Sequence, residues 1–289
     1  MTSDENDKNS KGQENDRAGI RHRRWFLPAA LGLAVVVGGA VGAGVLRLTG
    51  SHPAEHRSAV QRRAVRPRQP AQPKVDCHVH KCIALTFDDG PLAETTPKLL
   101  DILKAHGAHA TFFVLGMQVA GNEEVLKREV TEGHQVGNHT FDHKKLVGMP
   151  KAKVEDELIR TQEAILQATG TTPTVFRPTY GSTDKQLNDI TKEMGLAQIL
   201  WTVDTVDWKD RNTALVQKRV LAGAKPGHIV IMHDIRPTSV NAVPDILTTL
   251  TKQGYAFVTI SELYGGKLTP GERYPAFLGS PIAGPAPPT

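Results

Sequence analysis

The chain has 289 residues, 39% of them hydrophobic, and a formal charge of +5. That size and apolar fraction suit one folded domain with unstructured material attached, and they exclude a fibrous or repeat protein. Nor does the positive excess read as nucleic-acid binding, because Arg57, Arg62, Arg63, Arg66 and Arg68 crowd into one stretch with no interleaved aromatic residue to stack on a base.

Residues 1–24 are polar and end in Arg21, His22, Arg23 and Arg24, after which Trp25 to Leu46 carries no charge until Arg47. A run of that length can span a bilayer as a helix, and basic residues ahead of it favour a cytoplasmic N-terminus. The expectation is a cytoplasmic segment at 1–24, a transmembrane signal anchor at 25–46 with Trp25 at the interface, and everything beyond on the outside. The arginines after the span count against that orientation. A cleavable signal peptide processed among Ala40, Gly42, Ala43 and Gly44 is the alternative, and it would give a secreted protein. Residues 47–76, rich in Pro, Arg, Ala and Gln, predict a disordered basic linker.

The two cysteines, Cys77 and Cys82, lie close together, which in an exported chain points to a disulfide closing a small loop. With His78 and His80 between them, CHVHKC also has a metal-ligand look, but a structural zinc would require this one short loop to wrap the ion. From here apolar, β-prone segments alternate with amphipathic helical ones. Strands are predicted near 82–87, 110–115, 134–137, 174–177, 197–203, 228–233 and 255–260. Helices are predicted near 95–106, 122–132, 151–169, 184–194, 212–223 and 240–253. In KVEDELIRTQEAILQ, for example, Val154, Leu158, Ile165 and Leu166 gather on one side. Gly107, Gly133, Gly170, Gly195 and Gly254 follow helical stretches, as left-handed C-caps do.

This order implies a parallel sheet with helical crossovers. With about seven strands and no dinucleotide fingerprint, the preferred α/β architecture is an irregular, incomplete (β/α) barrel, ahead of an open doubly wound sheet. The domain is expected at 77–266, followed by a Pro/Gly-rich tail at 267–289.

Functional groups of a parallel α/β fold gather at the C-terminal ends of its strands. Here those ends carry Asp88 and Asp89, then His139 and His143, then Arg177 and Tyr180, then Asp204 and Asp207, then His233 and Asp234. The recurrence suggests one shared cavity. In HTFDH the histidines are four residues apart, so on one helical turn both imidazoles can face one ion, with Asp88 or Asp89 as a third ligand and a position left for water. Asp204 and Asp234 read as turn or supporting groups.

In this order, TFDDG, HTFDH, FRPTYG, DTVDW and IVIMH resemble the motifs of the polysaccharide deacetylases of carbohydrate esterase family 4, bacterial peptidoglycan deacetylases among them. The resemblance covers residues 81–262. Thr179 and Ile231 depart from the family pattern, where a second proline and a leucine are usual, and neither change removes a reactive side chain. The resemblance implies a divalent metal, zinc first with cobalt or another ion as alternatives, held by Asp89, His139 and His143. It implies Asp88 as general base, kept charged by Arg177, and His233 as general acid, supported by Asp207. It also implies an oxyanion contact from the Tyr180 amide and a sugar site lined by Tyr180 and Trp208. The implied activity is metal-dependent hydrolysis of N-acetyl groups on an amino-sugar polymer. Location beside the cell wall favours peptidoglycan N-acetylglucosamine as substrate. Chitooligosaccharides and acetylxylan are alternatives within the family, and a non-catalytic wall-glycan-binding module is the alternative of another class. The partners expected are an acetylated wall glycan and the membrane, not nucleic acid, and the expected state is a monomer.

Overall fold

The computed structural model describes residues 75–275. The predicted polar head, the apolar run at 25–46, nearly all of the basic linker and the end of the tail lie outside the described residues. Among the described residues no helix is long and apolar enough to cross a membrane.

The strands are β1 (Lys81–Asp88), β2 (Thr111–Val114), β3 (Gln135–Asn138), β4 (Val175–Phe176), β5 (Ala197–Ile199), β6 (Val203–Asp204), β7 (Ile229–His233), β8 (Tyr255–Phe257) and β9 (Arg273–Tyr274). The helices are α1 (Thr96–Ala105), α2 (Gly116–Val119), α3 (Glu123–Thr131), α4 (Lys151–Thr169), α5 (Lys185–Glu193), α6 (Asp207–Asp210), α7 (Thr213–Gly223), α8 (Pro237–Lys252) and α9 (Ile260–Leu263), with a 3-10 turn at Thr179–Gly181. The strands pair in parallel in the order β6-β7-β1-β2-β3-β4-β5-β9, with β8 beside the start of β1. This curled, incomplete barrel is the expected architecture.

β1 shows how the fold sorts its side chains. Successive residues of a strand point to opposite faces. Ile83, Leu85 and Phe87 pack outward against Leu99, Leu100 and Leu103 of α1 and Val243, Ile246 and Leu250 of α8, within the largest hydrophobic cluster. Ala84, on the other face, belongs to an inner cluster with Phe113, Val175, Ile199 and Ile229. Thr86 and Asp88 share that inner face and are buried. A carboxylate therefore points into the lumen at the strand's end, where burial requires a partner.

The six predicted helices all form, and the departures have local causes. α8 starts earlier than predicted because Pro237 occupies the first turn, where its missing N–H costs nothing. The strand predicted at 255–260 stops at Phe257, since Thr259 and Glu262 form a capping box that opens α9. The strand predicted at 197–203 is split into β5 and β6. At the break the Ile199 and Leu200 carbonyls accept from the Arg177 guanidinium, at 3.2 and 3.1 Å. In α4, Val154, Leu158 and Ile165 are buried as predicted, but Thr161 completes the stripe while Leu166 is exposed. Order continues past 266, because β9 pairs with β5 and the predicted tail contributes a strand. Cys77 and Cys82 are joined in a disulfide, with Cα atoms 5.4 Å apart.

Candidate active site

The register of the sheet gathers the strand-end residues. Asp88 lies opposite His233 in the β1–β7 pairing. His139 directly follows β3, and Arg177 directly follows β4, its N–H donating to the Asn138 carbonyl at 2.9 Å. The inner face of the barrel mouth thus receives Asp88, Asp89, His139, His143, Arg177 and His233.

Asp89, His139 and His143 each offer one ligand atom, and these atoms lie within 4.8 Å of one another. The Asp89 Oδ1 atom is 3.6 Å from His139 Nε2 and 3.4 Å from His143 Nε2. His139 Nδ1 is 2.7 Å from the Arg177 carbonyl oxygen. A carbonyl only accepts, so Nδ1 carries the proton and Nε2 presents its lone pair to the cluster. Burial holds the His139 imidazole below its ordinary pKa against the opposing pull of Asp88 and Asp89, which keeps it in the neutral form that ligation requires. Asp89 Oδ1 is buried and has no hydrogen-bond partner. An orphaned carboxylate oxygen between two imidazole nitrogens fits a divalent cation.

The two histidines converge without a helix. HTFDH is a loop in which Thr140 and His143 adopt φ of 71° and 64°, so the predicted helical turn is replaced by left-handed backbone. Several polar side chains hold this costly shape. Glu157 of α4 accepts from the Phe141 and Asp142 N–H groups at 2.9 and 3.2 Å, and Asn138 and Thr140 accept from the Thr140 and His143 N–H groups. Thr179 donates to the Lys144 carbonyl at 2.7 Å, tying the arginine loop to the histidine loop where the family pattern has proline. Glu157 escaped sequence reasoning, although a carboxylate beside Val154, Leu158 and Thr161 on the buried stripe of α4 was the available signal.

Asp88 is treated differently from its neighbour. Its Oδ1 accepts from Arg177 Nη1 at 2.7 Å, and Arg177 is fully buried. The guanidinium also donates to Thr86 Oγ1 and to the Ile199 and Leu200 carbonyls, and it lies over the Phe113 ring with its central carbon 4.1 Å from the centroid. Burial pulls the Arg177 pKa down and Asp88 pulls it back up. The fork is fixed, so one Asp88 oxygen is committed to it. The other, Oδ2, lies 3.7 Å from His139 Nε2.

Across the lumen, His233 Nδ1 is 2.7 Å from Asp207 Oδ1, and the His233 N–H donates to Asp207 Oδ2 at 2.8 Å. The buried Ser239 hydroxyl donates to the same Oδ2, a contact the sequence did not suggest. Burial would lower the His233 pKa, but the Asp207 hydrogen bond and charge, with Asp88 and Asp89, outweigh it and raise it to about 9. Burial would raise the Asp207 carboxyl, and the His233 and Ser239 hydrogen bonds hold it low instead. His233 Nε2 faces Asp89 Oδ2 at 3.9 Å.

Two aromatic side chains stand in solvent, Tyr180 at 68% and Trp208 at 54% exposure. Tyr180 has φ 58° and meets the His143 ring edge-on at 4.9 Å, while Trp208 follows Asp207 on α6. Exposure of such faces is unusual for core residues and normal for a binding rim. Of the two residues read as turn groups, Asp204 accepts from the N–H of Val206, whose φ is 51°, and Asp234 is completely buried.

The polysaccharide deacetylase family model matches residues 76–199. The chain is 51% identical over 195 residues to the peptidoglycan-N-acetylglucosamine deacetylase PgdA of Listeria monocytogenes, covering 68% of this chain and 41% of that protein. It therefore spans about two fifths of the length of that relative. A peptidoglycan-N-acetylglucosamine deacetylase of Bacillus cereus is 37% identical over 188 residues, covering 63% of this chain and 88% of its own length. A solved structure described as a T48 deacetylase with substrate superposes with a TM-score of 0.66 at 43% identity, covering 69% of this chain and 99% of that one. Barrel, motif order and these likenesses agree, and the chain belongs to the polysaccharide deacetylase family, carbohydrate esterase family 4.

Proposed function

We propose that this protein is a metal-dependent hydrolase that removes the N-acetyl group from N-acetylglucosamine of peptidoglycan. One observation carries the reading: a three-ligand cluster shares a barrel mouth with a carboxylate ion-paired to a buried arginine and a histidine paired to a buried aspartate. A divalent cation held by Asp89, His139 and His143, zinc by the character of the donors, would supply Lewis-acid polarisation of the acetyl carbonyl and a more acidic water.

The chain's own residues divide the proton traffic. Asp88, ion-paired to Arg177, takes a proton from the attacking water as the water oxygen bonds to the acetyl carbon. His233 is a cation at neutral pH, so it gives its Nε2 proton to the departing nitrogen as the carbon–nitrogen bond breaks. The products are acetate and a free amine. A binding module would need neither a base nor an acid. Tyr180 supplies a backbone N–H toward the oxyanion, and Tyr180 and Trp208 offer faces to the pyranose.

The substrate assignment is supported by the likeness to the Listeria and Bacillus peptidoglycan-N-acetylglucosamine deacetylases and by the expected anchor at 25–46, which would place the domain beside the wall. The test is acetate release by the full chain from peptidoglycan, chitin oligomers and acetylxylan, with and without chelator. Release is expected to be greatest from peptidoglycan, abolished by chelation, restored by zinc, and reduced at least about 100-fold by Asp88→Ala. Preference for acetylxylan would overturn the substrate. No release from any polymer, with glycan binding intact in Asp88→Ala, would leave only a binding module.

A further inference from the structure

The metal ligand Asp89 begins a tight segment, Asp89-Gly90-Pro91-Leu92, between the end of β1 and the start of α1. Asp89 itself has φ 75°, a backbone conformation that costs a residue with a side chain about 1–2 kcal/mol and persists only where the surroundings enforce it. Two backbone contacts hold the segment from the β2 side. The Asp89 N–H donates to the Phe113 carbonyl at 3.2 Å, and the Gly90 carbonyl accepts from the Leu115 N–H at 3.1 Å.

The opposite side rests on Asp234, the residue after the end of β7. Its carboxyl is fully buried and lies flat against Gly90. A Cβ placed on Gly90 would fall 2.0 Å from Asp234 Oδ2 and 2.5 Å from its Cγ, far inside contact distance. Asp234 Oδ2 also takes a 2.5 Å hydrogen bond from the buried Thr96 hydroxyl at the head of α1. That hydroxyl accepts from the Leu92 N–H at 2.9 Å while it donates to Asp234. The chain of contacts is directional: Leu92 N–H to Thr96 to Asp234, with Asp234 packed back onto Gly90. It encloses the segment that carries Asp89. None of the chemical steps above uses Asp234.

The geometry points to Asp234 and Thr96 as positioning residues for the metal centre, which fix the backbone of the Asp89 turn and thereby the direction of its carboxylate. The inference rests on the metal reading proposed above. It differs from a capping role for α1 in what it predicts. A cap acts on folding stability alone, whereas a clamp on the ligand turn acts on metal affinity in the folded protein.

The experiment measures the zinc dissociation constant of the full chain by competition with a chromophoric chelator, beside the melting temperature of the metal-free protein. Asp234→Ala and Thr96→Val, which break the chain of contacts, are expected to weaken zinc binding by about tenfold or more, as losses of supporting contacts around metal ligands do. Asp234→Asn and Thr96→Ser keep the hydrogen bond between residues 234 and 96 and are expected to stay near wild type. KM for the glycan is expected to hold at saturating zinc. Should Asp234→Ala fail to fold, Thr96→Val, which preserves volume, decides the matter. Wild-type zinc affinity in Thr96→Val or in folded Asp234→Ala would overturn the inference, even with a lowered melting temperature, and would leave the metal site standing. A wild-type protein that binds no zinc would instead overturn the metal reading, and this inference with it.

Discussion

Asp88 and Asp89 are adjacent like charges at a strand end, and the structure separates their environments. One is committed to a buried guanidinium and the other to two imidazoles. The same economy governs His233, whose acid form depends on Asp207. Because the His233 pKa is raised to about 9, the proton it would donate is present at neutral pH and is lost as pH rises through that value. Asp207→Asn removes the charge that holds the proton. The alkaline limb of kcat should then move down by about 1–3 pH units, which a pH–rate profile reads directly. A purely structural role for Asp207 would lower kcat at every pH and leave the limb in place.

At the scale of elements, the polar groups built into the frame matter as much as the apolar ones. His134, at the entrance to β3, is buried, and its Nδ1 accepts from the Ala110 N–H at 3.2 Å. Burial first, then the neighbouring His109 and Arg128, pull its pKa down to about 3, with Glu262 opposing. The fold therefore holds the neutral ring. Its stabilising contribution is complete above the unfolded value of about 6.5 and is lost as pH falls from there toward 3, by up to roughly 1.4 kcal/mol per pH unit. Urea denaturation between about pH 4.5 and 7 should show a shallower decline for His134→Gln than for wild type, and equal slopes would refute the assignment. Helices with a strong apolar period, such as α4, were legible in the sequence, as was every charged residue gathered at the barrel mouth. The histidine loop was not. Its shape comes from left-handed residues held partly by Asn138 and Thr140 within the loop and partly by Glu157 arriving from α4, a contact that no local propensity encodes. The break between β5 and β6 was hidden for the same reason, because the carbonyls that would have extended the strand are taken by a guanidinium arriving from β4.

For the molecule as a whole, the last described strand links stability to the site. Glu272, just ahead of β9, and Tyr274 within it supply the carbonyls that accept from the Gln198 and Leu200 N–H groups at 2.8 and 2.7 Å, and the Tyr274 ring meets Tyr264 at 4.9 Å. Beside these contacts, Ile199 and Leu200 hold Arg177. Truncation after Gly266 should therefore lower stability by on the order of 2 kcal/mol and reduce kcat more than it raises KM. Calorimetry and steady-state kinetics on the truncated chain check both, and an unchanged melting temperature would return this segment to the status of a tail. Among its described residues, Pro270 and Gly271 form the turn that leads into β9.

The contact between Gly90 and Asp234 also constrains how this sequence can change over time. Any side chain at 90 collides with the carboxyl at 234, so the glycine is bound to its partner as well as to its turn. A lineage that first loses the carboxyl frees position 90 to drift. One that first acquires a side chain at 90 meets the clash at once, so the two orders of substitution are unequal and the pair should be inherited together.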